Sequence, residues 1–189
     1  MGAEEVFRRT GAILEGHFLL TSGLHSPVYW EKLRILQQPK LTQGLCQLIT
    51  EHFQGKGIEV VAGPALGGVV LAYEVARQLG VRAIFVEREG GARTIRRGQS
   101  LATGEKVLVV DDVLTTGGSL RETVEAIRRA GGKVVGTAVL VDRSEGPVDL
   151  GCDFFHCFQT RAPSYRPDDC PLCRQGLPLQ RLGGGSTPT

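Results

Sequence analysis

The sequence predicts an α/β fold: a central, mainly parallel sheet flanked by helices, with a small N-terminal subdomain. Three observations carry this expectation. Short apolar, β-branched runs recur at 58–62, 81–86, 106–110 and 133–141, each of the length and composition of a strand buried on both faces. Helical stripes of apolar residues separate them, which is the alternation of a parallel sheet. Glycine-rich turns, Gly63 to Gly68 and Gly117-Gly118, stand where a strand hands over to a helix. With 189 residues and 41% hydrophobic content, the chain can build one sizeable core and a small appendage.

Composition also excludes several function classes. A net charge of +2 implies no general affinity for nucleic acid or a membrane surface. The N-terminus lacks a basic-then-apolar signal, and no apolar run approaches the ~20 residues of a membrane span. Five cysteines, an odd number, do not read as a secreted disulfide framework. A soluble cytoplasmic protein without internal repeats is expected.

In chain order, residues 3–14 read as an amphipathic helix with Val6, Phe7, Ile13 and Leu14 inward. Next come FLL and VYW, flanking a Ser-Gly turn, and these predict a hairpin with a polar tip. Pro39 starts a helix to about Phe53, striped by Leu41, Leu45, Leu48 and Ile49. Strand 58–62 ends in the glycine turn 63–68, whose free N–H groups suit an anion, and a helix runs on to Leu79. After strand 81–86, residues 87–104 carry Arg88, Arg93, Arg96 and Arg97 among glycines. They read as an arginine-rich flap able to neutralise a polyanion while excluding water. Strand 133–141 ends in Asp142-Arg143, and 151–158 is expected as the edge strand.

Chemistry concentrates at 106–119, KVLVVDDVLTTGGS. An apolar strand, 106–110, leads to Asp111 and Asp112, then to the turn Thr115-Thr116-Gly117-Gly118-Ser119. A helix follows, with Ser119 and Glu122 at the S-x-x-E spacing of a capping box. Leu120, Val124 and Ile127 form its stripe, and Gly131-Gly132 ends it. Glycine-fed N–H groups and the hydroxyls of Thr115, Thr116 and Ser119 suit a phosphate. The two acids would repel one, so they serve sugar hydroxyls, a metal, or both. The combination describes a site for a phosphorylated sugar at the carboxyl edge of a sheet. The lysine of a P-loop is missing, which argues against nucleoside triphosphate hydrolysis.

This stretch resembles the phosphoribosyl pyrophosphate (PRPP) motif of the type I phosphoribosyltransferases. A second segment, GHFLLTSGLHSPVYW, resembles the N-terminal hood of the orotate phosphoribosyltransferases, with Phe18, Leu20, Ser22, Gly23, Ser26 and Tyr29 on the pattern F-x-L-x-S-G-x-x-S-x-x-Y. Thr21 and Gly67 stand where that family often has lysines. The resemblance spans roughly 10–160. It implies a type I phosphoribosyltransferase fold divided into helix and hood at 1–38, core at 39–160, and a tail at 161–189 with disordered last residues. It further implies transfer of ribose 5-phosphate from PRPP to orotate with Mg²⁺, in a homodimer with shared active sites. PRPP binding falls to Arg88 and to Asp111, Asp112, Val113, Leu114, Thr115, Thr116, Gly117, Gly118 and Ser119. Thr115 and Arg143 fall to orotate, the arginine pairing with its carboxylate. Asp111, Asp112 and a flap arginine are the catalytic groups. Arg97 is placed there, with Arg93 and Arg96 as alternatives. A phosphoribosyltransferase for a purine or uracil base, or a PRPP-sensing regulator, are the other readings.

The tail carries Cys170-x-x-Cys173. With Cys152 and Cys157 it could complete a four-thiolate zinc site, or form a redox pair; merely structural cysteines are the favoured reading. The four histidines, His17, His25, His52 and His156, lie scattered along the chain, and only His25, in the hood, invites a test.

Overall fold

The computed structural model describes residues 3–20 and 22–182, so Thr21 and the closing 183–189 lie outside the described residues. The chain divides into two compact units, one of Met1–Ile35 with Arg161–Thr189, the other Leu36–Thr160.

The first unit opens with helix α1 (Ala3–Arg9), shorter than the 3–14 its apolar pattern suggests. The Thr10 hydroxyl, 2.9 Å from the Val6 carbonyl and 3.1 Å from that of Phe7, closes the last turn, and Gly11 turns left-handed (φ 62°). Ile13 and Leu14 therefore begin strand β1 (Ile13–Leu19), which pairs antiparallel with β2 (His25–Trp30) as the expected hairpin. Phe7 and Trp30 meet edge to face, with ring centroids 5.3 Å apart. Ser26, fully buried, spends its hydroxyl on the backbone: it stands 2.9 Å from the Val28 carbonyl and 3.3 Å from that of Pro163, and accepts from Val28 N.

Helix α2 (Leu33–Leu36) carries the chain to the second unit. There α3 (Pro39–Phe53), β3 (Val60–Pro64), α4 (Gly67–Leu79), β4 (Arg82–Glu89), β5 (Ala92–Ile95), β6 (Lys106–Leu114), α5 (Gly118–Arg129), β7 (Lys133–Asp142) and β8 (Asp153–Gln159) follow in order. The sheet runs β5-β4-β3-β6-β7-β8, parallel except for β5 against β4. Val60, Val107, Val109, Ile127 and Val139 are wholly buried in its core, as expected of strands covered on both faces. The flap departs from expectation. Residues 87–104 are not irregular throughout, because β4 runs on to Glu89, turns at Gly90-Gly91 and returns as β5. Two left-handed glycines there, φ 55° and 85°, permit the tight reversal. In the tail, helix α6 (Pro171–Arg174) is the last among the described residues.

Glu105 ties the entry of β6 to β4. It accepts from Arg82 Nη2 (2.6 Å) and Nε (3.1 Å) and from the amide of Ala102 (2.8 Å). The Arg82 guanidinium holds its carboxyl below the ordinary range. A depressed folded pKa stabilises the fold above the unfolded value, and that contribution disappears as pH falls through the folded one. Glu105→Gln is accordingly expected to cost about 0.5–1 kcal/mol at about pH 7 and almost nothing at about pH 3. Thermal unfolding of both proteins at each pH checks this.

Candidate active site

Strand order reverses between β3 and β6. From β3 the chain crosses through α4 to β4 on one side, and from β6 through α5 to β7 on the other. The crevice beyond the carboxyl ends of two such strands is where open α/β sheets bind ligands. Both glycine turns and the acidic pair lie there.

Strand β6 extends to Leu114 rather than stopping at Val110, since Val113 and Leu114 still pair with Val141 and Asp142 of β7. Asp111 and Asp112 therefore lie within a pleated strand, where consecutive residues point to opposite faces. Asp111 turns toward α5, where its Oδ2 accepts from the Ser119 hydroxyl (3.0 Å) and its Oδ1 from the Asp112 amide (2.8 Å). Asp112 turns toward the start of α4. There its carboxylate fills the space that a Cβ on Gly67 would take. A side chain at 67 would displace the Asp112 carboxylate from this position, and glycine leaves it in place. Both carboxylates are almost fully buried. Leu114 packs into the core, so it serves the site by placing the backbone of the turn.

The turn enters α5 through Gly117, left-handed at φ 80°, where a Cβ would strike Val148 Cγ1 at 2.5 Å. Thr115 and Thr116 are exposed at its tip. The first N–H groups of α5, a 12-residue helix, face the same end and suit an anion. The capping box does not form. Gly117 is the cap, Ser119 already lies inside the helix and is committed to Asp111, and Glu122 is drawn away by arginines.

Those arginines separate once the sheet assembles. Arg88 on β4 and Arg93 on β5 are register partners and share Glu122, at 2.6 and 3.3 Å from its Oε2. Arg93 is buried, and its Nη2 donates to Ser119 Oγ at 2.9 Å. A chain Arg93–Ser119–Asp111 therefore ties the flap to the acidic pair, a link that no sequence spacing announces. Arg96 pairs with Glu89 (2.9 Å). Arg97 forks onto Glu87 (2.7 and 3.1 Å), and the fork holds the Glu87 carboxyl below its ordinary range.

Arg143 stands just past β7, its amide bonded to the Leu114 carbonyl (2.8 Å). Asp142 shapes that corner: Oδ1 accepts from the Ser144 amide (2.9 Å) and Oδ2 from Gln159 Nε2 (3.2 Å). Arg143 is half-buried, and its buried Nε has no hydrogen-bond partner among the described residues. Burial pulls its pKa below the usual arginine value. The group is a partly desolvated cation.

Comparison with known proteins agrees with this geometry. The family described as Phosphoribosyl transferase domain matches residues 32–164. The chain is 53% identical over 178 residues, 94% of each chain, to an orotate phosphoribosyltransferase of Pelotomaculum thermopropionicum. It is 51% identical over 179 residues to that of Desulforamulus reducens, covering 95% of this chain and 94% of that one. Among solved structures, the orotate phosphoribosyltransferase of Aeropyrum pernix superposes with a TM-score of 0.73 at 31% identity, covering 84% of this chain and 93% of that one.

Proposed function

The chain belongs to the orotate phosphoribosyltransferases, and from that premise we propose how its residues divide the reaction. The reaction moves ribose 5-phosphate from PRPP to orotate, releasing pyrophosphate and giving orotidine 5′-phosphate on the route to UMP. Its chemical demand is stabilisation of a positive, oxocarbenium-like C1 and of a highly charged leaving group. Both are met by positioning and electrostatics.

Thr115 to Ser119 and the open end of α5 clamp the 5-phosphate. Asp111 and Asp112 hold the ribose hydroxyls and balance charge developing at C1. Arg88 binds PRPP from the end of β4, and Arg93 fixes the geometry of Asp111 through Ser119. Arg97 releases Glu87 to meet the departing pyrophosphate. Arg143 takes the orotate carboxylate, with Thr115 beside the base. The carboxylates of Asp111 and Asp112 are hard oxygen donors that would suit the cofactor expected here, Mg²⁺, which would supply charge neutralisation for the leaving pyrophosphate. A cytoplasmic homodimer completes the reading. Among the described residues no helix is long and apolar enough to cross a membrane.

The observation that favours orotate over an uncharged base is Arg143, a half-buried guanidinium with its Nε unpartnered. An ultraviolet assay with PRPP and Mg²⁺, offering orotate, uracil, adenine and hypoxanthine in parallel, tests the reading. Loss of orotate absorbance, dependent on both PRPP and Mg²⁺, is expected with the other bases inert. Turnover of another base in place of orotate would overturn it.

A further inference from the structure

Far apart in sequence, His17, His25, Cys170 and Cys173 converge in the first unit. Their four donor atoms all lie within 4.8 Å of one another. His17 Nε2 stands 3.0 Å from His25 Nδ1, 3.5 Å from Cys170 Sγ and 3.7 Å from Cys173 Sγ, and Cys173 Sγ is 3.3 Å from His25 Nδ1. A tetrahedron with Zn–N about 2.05 Å and Zn–S about 2.3 Å has edges of about 3.3 Å between nitrogens and about 3.6 Å between nitrogen and sulfur. The four spacings given above lie within about 0.3 Å of those edges. We propose that these four residues form a structural zinc site.

The surroundings fit a metal better than a chain of hydrogen bonds. His17 Nδ1 lies 2.8 Å from the Leu177 carbonyl. A carbonyl only accepts, so Nδ1 carries the proton and Nε2 turns its lone pair inward, as a zinc-bound histidine supported from behind does. His17, His25 and Cys170 are buried. Two thiolates and two neutral imidazoles balance the charge of Zn²⁺, and a closed N₂S₂ set is the borderline-soft, tetrahedral kind that zinc prefers.

The four-cysteine alternative does not assemble. Cys152 and Cys157 belong to the other unit. The Cys157 thiol donates to the Leu45 carbonyl at 3.4 Å, and burial pushes its pKa up to about 12, so it stays protonated. Nor are the histidines all scattered, because the hairpin sets His17 and His25 side by side. What the site joins also makes sense of it. Both histidines are on the hairpin and both cysteines are in the tail, which also meets the hairpin through short pairings at Phe18–Gln180 and His25–Tyr165. A unit with so small an apolar core gains most from such a staple.

Plasma emission spectrometry of the full chain, purified without chelator, should find one zinc per chain in the wild type and in Cys152→Ser. Cys173→Ser, altered at the most exposed ligand, should hold only a trace. Protein stripped and refilled with Co²⁺ should show the visible ligand-field bands of a tetrahedral thiolate site. Removing zinc should also speed tryptic cleavage after Arg174, already exposed, by loosening the turn that carries it. Three outcomes would overturn the assignment: wild type without zinc and without the cobalt bands, undiminished zinc in Cys173→Ser, or a native Cys170–Cys173 disulfide seen by mass spectrometry. The wild-type measurement decides even if Cys173→Ser fails to fold.

Discussion

Asp112→Asn should lower kcat/KM for PRPP by about two orders of magnitude while leaving the fold intact. A carboxylate about 5 Å from a developing unit charge, at an effective dielectric of about 20, contributes about 3 kcal/mol. That is roughly a hundredfold in rate. The substitution preserves shape, so the close fit against Gly67 survives and the lost quantity is charge. Asp111→Asn is a less clean experiment. Asp111 accepts two hydrogen bonds, one at each oxygen, and an amide presents one acceptor and one donor group. With its oxygen kept for the Asp112 amide, the Asn turns its NH2 toward Ser119, so the hydroxyl must reverse and the charge facing Arg93 through it is lost, at a further cost of about 1–2 kcal/mol in stability. Steady-state kinetics with thermal unfolding separates the two: Asp112→Asn should melt with the wild type, Asp111→Asn below it. Equal activity of Asp112→Asn and wild type would remove Asp112 from the chemistry.

For Arg143→Ala the expected result is a rise of about a hundredfold in KM for orotate, with KM for PRPP nearly unchanged. A charge-assisted, two-pronged bond to a carboxylate contributes roughly 1.5–3 kcal/mol or more when desolvated. Arg143→Lys should recover part of it, keeping the charge without the planar fork. Stability gives an independent sign. An arginine in a structural ion pair would leave a buried acid uncompensated when removed, and the protein would lose several kcal/mol. Arg143 has its Nε unpartnered, and its pKa is depressed by burial. Deleting it should therefore leave the melting temperature unchanged or raise it. A large drop in melting temperature with an unchanged KM for orotate would make the residue structural.

Local chemistry was legible wherever it is consecutive in the chain. The strand, acidic pair and glycine turn of 106–119 declare themselves because one short segment contains the strand end, the anion-binding turn and the helix start together. The hairpin, the parallel strands and the position of Arg143 past β7 follow from period and punctuation in the same way. Reading failed where a residue's partner is remote. Ser119 and Glu122 have capping-box spacing, yet Asp111 claims one and Arg88 with Arg93 the other. The extra strand β5 was hidden in an arginine-rich run, because its pairing depends on the turn at Gly90-Gly91 and on the edge that β4 offers.

By itself, then, the sequence determined the fold class, the carboxyl-edge location of the acidic pair and glycine turns, and the residue types proposed for the chemistry. These depend on periodicity and on neighbours in the chain. Only the tertiary structure decided which face each aspartate takes, which flap arginine reaches Asp111, why position 67 is glycine, and which residues stand with Cys170 and Cys173. Most of those are contacts between segments tens of residues apart, and pairing across such distances is set by how the elements pack rather than by their local preferences.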